Sequence, residues 1–199
     1  MDLDAAQLSE LNAALNEATL LNVRWNPGGG SFDVFLRVLT LPEEGPEPQD
    51  PRFVLRLTRV GRIVASLRMG NWDDERADVV PLALGDLTET VLSFRSQPIY
   101  GWELVDSEND DLATLVGRVS LDEAFPEGGR QHWIRLFQEG QAVRHLDLFI
   151  WFDNLEIYDM ELAQIPIEYF AAGGRRWWNA FYAGDPRTEG HNMAPLRPD

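Results

Sequence analysis

The chain has no cysteine and no lysine, and its 17 basic side chains are all arginine. Each absence removes chemistry. Without lysine there is no Schiff-base nucleophile, and without cysteine there is no thiolate catalysis, no disulfide and no thiolate zinc site. No apolar run approaches the ~20 residues that span a bilayer as a helix. The start, Met1-Asp2-Leu3-Asp4, has neither a basic region nor an apolar stretch of secretory type, so a cytoplasmic protein is expected. Catalytic signatures are also missing. Gly28-Gly29-Gly30 lacks the lysine of a P-loop and the spacing of a dinucleotide fingerprint. None of Ser31, Ser93, Ser96 and Ser120 sits in a Gly-x-Ser-x-Gly elbow.

What is present is acid and aromatic mass. The formal charge is −16, which repels free polyanions and anionic membranes and attracts a basic partner. Seven tryptophans and ten phenylalanines can fill a substantial core, and 199 residues suit one domain, 1–199. The use of arginine for every cation suggests a bacterium of high GC content. Its physical consequence is that each cation is a planar, permanently charged fork.

Hydrophobic periodicity predicts an α+β fold, mainly antiparallel sheet in a meander or sandwich of about ten strands, with a helix at each end. Residues 4–20 read as a helix, with Asp4 and Gln7 as a capping box and Leu8, Leu11, Leu15 and Ala18 as one stripe. Residues 32–40, 53–58 and 63–69 alternate with period two and predict a hairpin-linked meander. Residues 41–51 hold four prolines and four acids, hence a surface loop. Residues 86–94 fit either helix or strand. Residues 132–137 and 143–152 predict a hairpin through Glu139-Gly140-Gln141, and the second strand, apolar on both faces at its end, predicts a central position. A terminal aromatic helix follows Pro166, with a break expected at Gly173-Gly174. Residues 184–199 read as an irregular tail.

Four groups are candidate sites. Arg52, Arg56, Arg59, Arg62 and Arg68 lie in a stretch without acid, and Arg37, Arg56 and Arg68 are expected on the outward face of neighbouring strands, where they could bind a carboxylate or phosphate. Pairing with the chain's own acids is the simpler outcome. His145 and Asp147 face one side of a strand, and His132 is expected nearly opposite His145. Together these three could ligate a divalent metal or form a base oriented by a carboxylate. Asp73-Asp74-Glu75 and Glu108 with Asp110-Asp111 are acidic runs without an EF-hand pattern, and are expected to be solvated loops. On the terminal helix, Trp177, Trp178 and Tyr182 could anchor a partner, although a core role is the plainer reading.

Small, acidic, β-rich and without a catalytic motif, the chain resembles bacterial immunity and adaptor proteins in general character. The function expected on this basis is a non-catalytic interaction protein, presenting its acidic surface to a basic protein partner or to a second copy. No cofactor, nucleic acid or membrane is expected. The alternative is a small-ligand binder or metal-dependent enzyme built on His132, His145 and Asp147 or on the arginine stripe.

Overall fold

A computed structural model describes residues 3–71, 73–95, 99–106, 115, 117–140 and 143–191. Its elements run α1 (Ala5–Leu15), β1 (Thr19–Asn26), β2 (Ser31–Arg37), β3 (Arg52–Thr58), β4 (Arg62–Met69), β5 (Asp78–Val79), α2 (Leu87–Ser93), β6 (Ile99–Asp106), β7 (Leu121–Ala124), β8 (His132–Gly140), β9 (Arg144–Phe152), β10 (Asn154–Asp159), β11 (Gln164–Ile165) and α3 (Ile167–Ala183). One sheet has the order β1-β2-β3-β10-β11, and the other β5-β4-β9-β8-β6, with β7 also paired to β4. Every strand pair is antiparallel. The architecture is therefore α+β with antiparallel sheets, a helix near each end and α2 between.

The alternating strands place Phe32, Val34, Leu36, Leu55 and Leu57 of the first sheet in one apolar cluster with Ile63, Ala65, Ile134, Leu136, Leu146, Leu148, Ile150 and Phe152 of the second. Leu8, Leu11 and Leu15 of α1 and Leu87 and Val91 of α2 join it. Burying one such side chain contributes about 1.5–3 kcal/mol. The reverse face of the second sheet carries another cluster, formed by Val64, Leu115, Trp133, Phe149 and Trp151. With apolar groups on both faces, β9 is buried from His145 to Phe152 and lies mid-sheet.

The expected capping box of α1 is present. Gln7 N donates to Asp4 Oδ1 (2.8 Å) and Asp4 N to Gln7 Oε1 (3.1 Å). The helix stops earlier than its stripe implied, because Glu17 adopts a positive φ of 59° and the chain enters β1.

Two local expectations are corrected. Residues 53–58 and 63–69 do not form a hairpin within one sheet: β3 belongs to the first and β4 to the second. Period-two alternation is the same whether the next strand lies beside its predecessor or in the opposing sheet. Gly173-Gly174 does not break α3, which runs through both. A Cβ on Gly174 would lie 2.5 Å from Ala14 Cα, and one on Gly173 would collide with Thr40 Oγ1. The glycines let α3 pack closely on α1 and on the residues before the 41–51 loop. Leu41, Trp177, Ala180 and Phe181 form a third cluster there, and Trp177 Nε1 donates to Glu47 Oε1 (3.1 Å).

Residues 86–94 resolve as helix over Leu87–Ser93. The expected tail contains a 3-10 turn at Pro186–Thr188, and residues 192–199 fall outside the described residues. No helix among the described residues is long and apolar enough to cross a membrane.

Candidate functional site

The outward face of the first sheet carries Arg24, Asp33, Arg37, Arg52, Arg56 and Glu156 at alternating strand positions, with Phe35, Val54 and Tyr158 among them. The strand register aligns Arg24 with Asp33, Asp33 with Arg56 and Arg56 with Glu156, a row of alternating charge across four strands. Asp33 is fully buried beneath its partners. Arg24 Nη2 donates to its Oδ2 (2.7 Å), Arg56 Nε to its Oδ1 (2.7 Å), and Asn26 Nδ2 to Oδ2 (3.1 Å). Burial alone would raise the carboxyl pKa. The hydrogen bonds from Arg56, Arg24 and Asn26 outweigh it and hold Asp33 below the usual carboxylate value.

Two aromatic rings flank the row. The Arg24 guanidinium sits 5.4 Å from the Phe35 ring centre, and that of Arg56 sits 5.1 Å from Tyr158. The side chains of Arg24 and Arg56 remain 53% and 30% exposed, so the forks above the buried carboxylate reach solvent. Along the same face Arg37 pairs across the strands with Arg52, whose guanidinium is held by Asp50.

The structure therefore joins Arg37 and Arg56 but not Arg68. Arg68 belongs to β4 in the other sheet, where it is 5% exposed. There Arg68 Nη2 donates to Asp147 Oδ2 (3.0 Å), while Arg135 Nη2 donates to Asp147 Oδ1 (2.7 Å). His145 is buried next to Arg68 across the strands, and its Nδ1 lies 3.3 Å from the Gly70 carbonyl. A carbonyl only accepts, so Nδ1 carries the proton of the neutral ring and Nε2 a lone pair. Burial, then the Arg68 charge, pushes the His145 pKa down. Among the described residues, His145 Nε2, Arg68 Nε and Ser66 Oγ are buried without a hydrogen-bond partner.

His132 does not join this cluster. It pairs with Phe152, whose side chain lies in the inter-sheet core, and the two ring centres are 5.9 Å apart. His145 instead faces Glu139, because the β8–β9 turn lies between Gly140 and Arg144, farther along than the sequence suggested. The expected opposition of His132 and His145 is corrected: the two imidazoles project from opposite faces of the sheet. Among the described residues no group of three His, Asp or Glu side chains is placed to hold a metal ion.

Of the acidic runs, Asp73, Asp74 and Glu75 are exposed, with Asp74 Oδ1 accepting from Arg76 N in a local turn. Glu108, Asp110 and Asp111 lie outside the described residues. On α3, Trp177 is fully buried, Trp178 packs partly buried against its cluster, and Tyr182 is 63% exposed.

Two clefts lie at the ends of the first sheet's strands. One, of about 810 Å³, is lined by Arg37 and Arg52 but also by Glu17, Glu47 and Asp50. The other, of about 460 Å³, lies at the opposite end of the strands, between the glycine loop 27–30 and residues 125–128, with Trp25, Arg59 and Phe125 in its wall. Sequence reading singled out neither Asp33 nor Arg24. Their signal was a lone acid near the start of the 32–40 strand, with an arginine inside each flanking segment.

No family model matches the chain, and no solved structure matches it. The chain is 30% identical over 122 residues to the tRNA pseudouridine synthase B of Heliobacterium mobile, a similarity covering 59% of this chain and 37% of that protein. The relative is by name an enzyme acting on tRNA. That finding overturns two expectations from the sequence: the non-catalytic interaction protein, and the exclusion of nucleic acid from its partners. The physical source of the error is that a net charge sums the whole chain, whereas contact is made by a local face.

Proposed function

We propose that this chain acts on RNA, as an RNA-modifying protein, with the open face of the first sheet as the surface that RNA meets. The similarity to an enzyme named for tRNA is the observation that carries the reading. The geometry of the face supports it. Arg24 and Arg56 are planar forks with donors left over beyond those given to Asp33, suited to phosphate oxygens. Phe35 and Tyr158 supply rings beside them, and single-stranded RNA is recognised largely by stacking on aromatic and guanidinium planes. The ionised Asp33 beneath holds both forks in place.

The charge of −16 opposes this binding but does not forbid it. At physiological salt the Debye length is ~8 Å, so carboxylates elsewhere on the surface are largely screened at the contact. The test is fluorescence anisotropy of a labelled tRNA transcript at low salt, followed by nucleoside analysis of the RNA after incubation. Binding that weakens in Arg24→Gln with Arg37→Gln, and an altered nucleoside in the product, are the expected results. A wild-type protein that binds no RNA at any salt from low to physiological would overturn the reading.

A further inference from the structure

We infer that the outward face of the first sheet takes a short unpaired stretch of RNA, one base against Phe35 and the next against Tyr158; this rests on the RNA reading above and deepens it. The strand register supplies the geometry. Val54 of β3 stands directly opposite Phe35 of β2 on one side and Tyr158 of β10 on the other. The three side chains make an apolar strip that runs across three strands. Two inter-strand spacings of ~4.8 Å put the ring-bearing positions ~10 Å apart. Val54 is 1% exposed and both rings are only half-buried, so the valine is the floor of the strip and the rings stand at its surface.

Guanidinium groups border the strip on both long sides. Two residues along the strands in one direction lies the row of Arg24, Asp33, Arg56 and Glu156, and two residues in the other direction Arg37 stands opposite Arg52. Arg24 and Arg56 lean over the strip, because their guanidinium groups are the ones set 5.4 Å from Phe35 and 5.1 Å from Tyr158. Each ring therefore has a planar cation beside it, and a base can stack on a ring or on a guanidinium plane. The carboxylates among these cations are engaged. Asp33 is buried under the two forks, Asp50 accepts from Arg52 Nε and Nη2, and Glu156 Oε2 accepts from the Tyr158 hydroxyl (2.8 Å).

This layout names the ligand class. An apolar strip edged by cations complements a chain of flat groups carried on an anionic backbone, and single-stranded RNA has that form. Its phosphates meet Arg24 and Arg56 while its bases lie along the strip. A duplex keeps its base faces stacked inside and finds only the arginines. Every base has a π-face, so the strip is expected to select unpaired over paired RNA and to be tolerant of sequence.

The experiment is anisotropy of the full chain with a labelled oligo-uridine decamer and with a labelled RNA hairpin duplex, at one low salt concentration. Phe35→Leu and Tyr158→Leu each remove a ring, and Tyr158→Phe keeps the ring while losing the hydroxyl. The decamer is expected to bind about tenfold more tightly than the duplex. Each leucine variant is expected to lose about tenfold for the decamer and nothing for the duplex, with Tyr158→Phe within twofold of wild type. The wild-type comparison of decamer with duplex needs no variant and decides the matter where a leucine variant fails to fold. Equal binding of decamer and duplex, or a Tyr158→Leu protein within twofold of wild type on the decamer, overturns the strip and leaves the RNA reading standing. A wild-type protein that binds neither RNA at any salt from low to physiological overturns both.

Discussion

Asp147 is the residue on which the second sheet's polar cluster depends. Its side chain is 2% exposed and receives hydrogen bonds from Arg68, itself 6% exposed, and from Arg135. Replacing it with alanine leaves a buried guanidinium without its counter-charge. The expected loss is about 3–5 kcal/mol, read by chemical denaturation, and a loss under 1 kcal/mol would contradict this picture. His145, beside it, makes stability depend on pH. Its folded-state pKa lies below the ordinary 6.5, so as pH falls below 6.5 the unfolded chain takes up the proton first. Stability contributed by the neutral ring is full above 6.5 and is lost as pH falls from there through the folded value. His145→Gln should flatten the denaturation midpoint across that window. A midpoint that falls equally in both proteins would place the dependence elsewhere.

At the scale of elements, the α1–α3 contact is set by backbone proximity. Gly174→Val would place branched carbon against Ala14, where even a Cβ comes within 2.5 Å of Cα. Overpacking of this kind costs about 1–3 kcal/mol. Gly184→Ala should cost less, because there only the left-handed φ of 71° is strained and a Cβ meets nothing within 4 Å. Thermal melts of the two variants check the order, and a larger loss at Gly184 would show that helix termination outweighs helix packing. The capping box, both α1 hydrogen bonds and the register of the aromatic helix were legible in the sequence, since each arises between residues three or four apart. The glycine pair was misread for the opposite reason. What it accommodates, Ala14 and Thr40, is more than 100 residues away along the chain.

For the whole molecule, the governing quantity is the contest between a charge of −16 and a local arginine face. On the proposed RNA reading, two phosphate contacts, at Arg24 and Arg56, would release counterions at ~0.7 per phosphate of single-stranded RNA, so log affinity should fall against log salt with a slope of about −1.4. Anisotropy titrations from low to moderate salt measure it. A slope near zero would mean that RNA binds without using the arginines. The arginine stripe itself was half legible. Arg37 and Arg56 share a face as alternation implied, but Arg68 does not, because the chain crosses between sheets at residues 59–61. The His132 and His145 pairing failed over the position of one turn, and in a hairpin each residue of shift moves the partner by two.

The sequence by itself determined which apolar side chains face the inter-sheet core, though not the place of His132 there or the burial of Arg68. Period-two and helical spacing are local, and the apolar free energy of burial enforces them wherever each element finally sits. Only the tertiary structure decided which strands became neighbours, and with that the enclosure of Asp33 by two guanidinium groups and the stacking of Trp25 on Phe125. Those arrangements join positions from 9 to 100 residues apart, and pairing at such separations is chosen by the packing of the complete sheets.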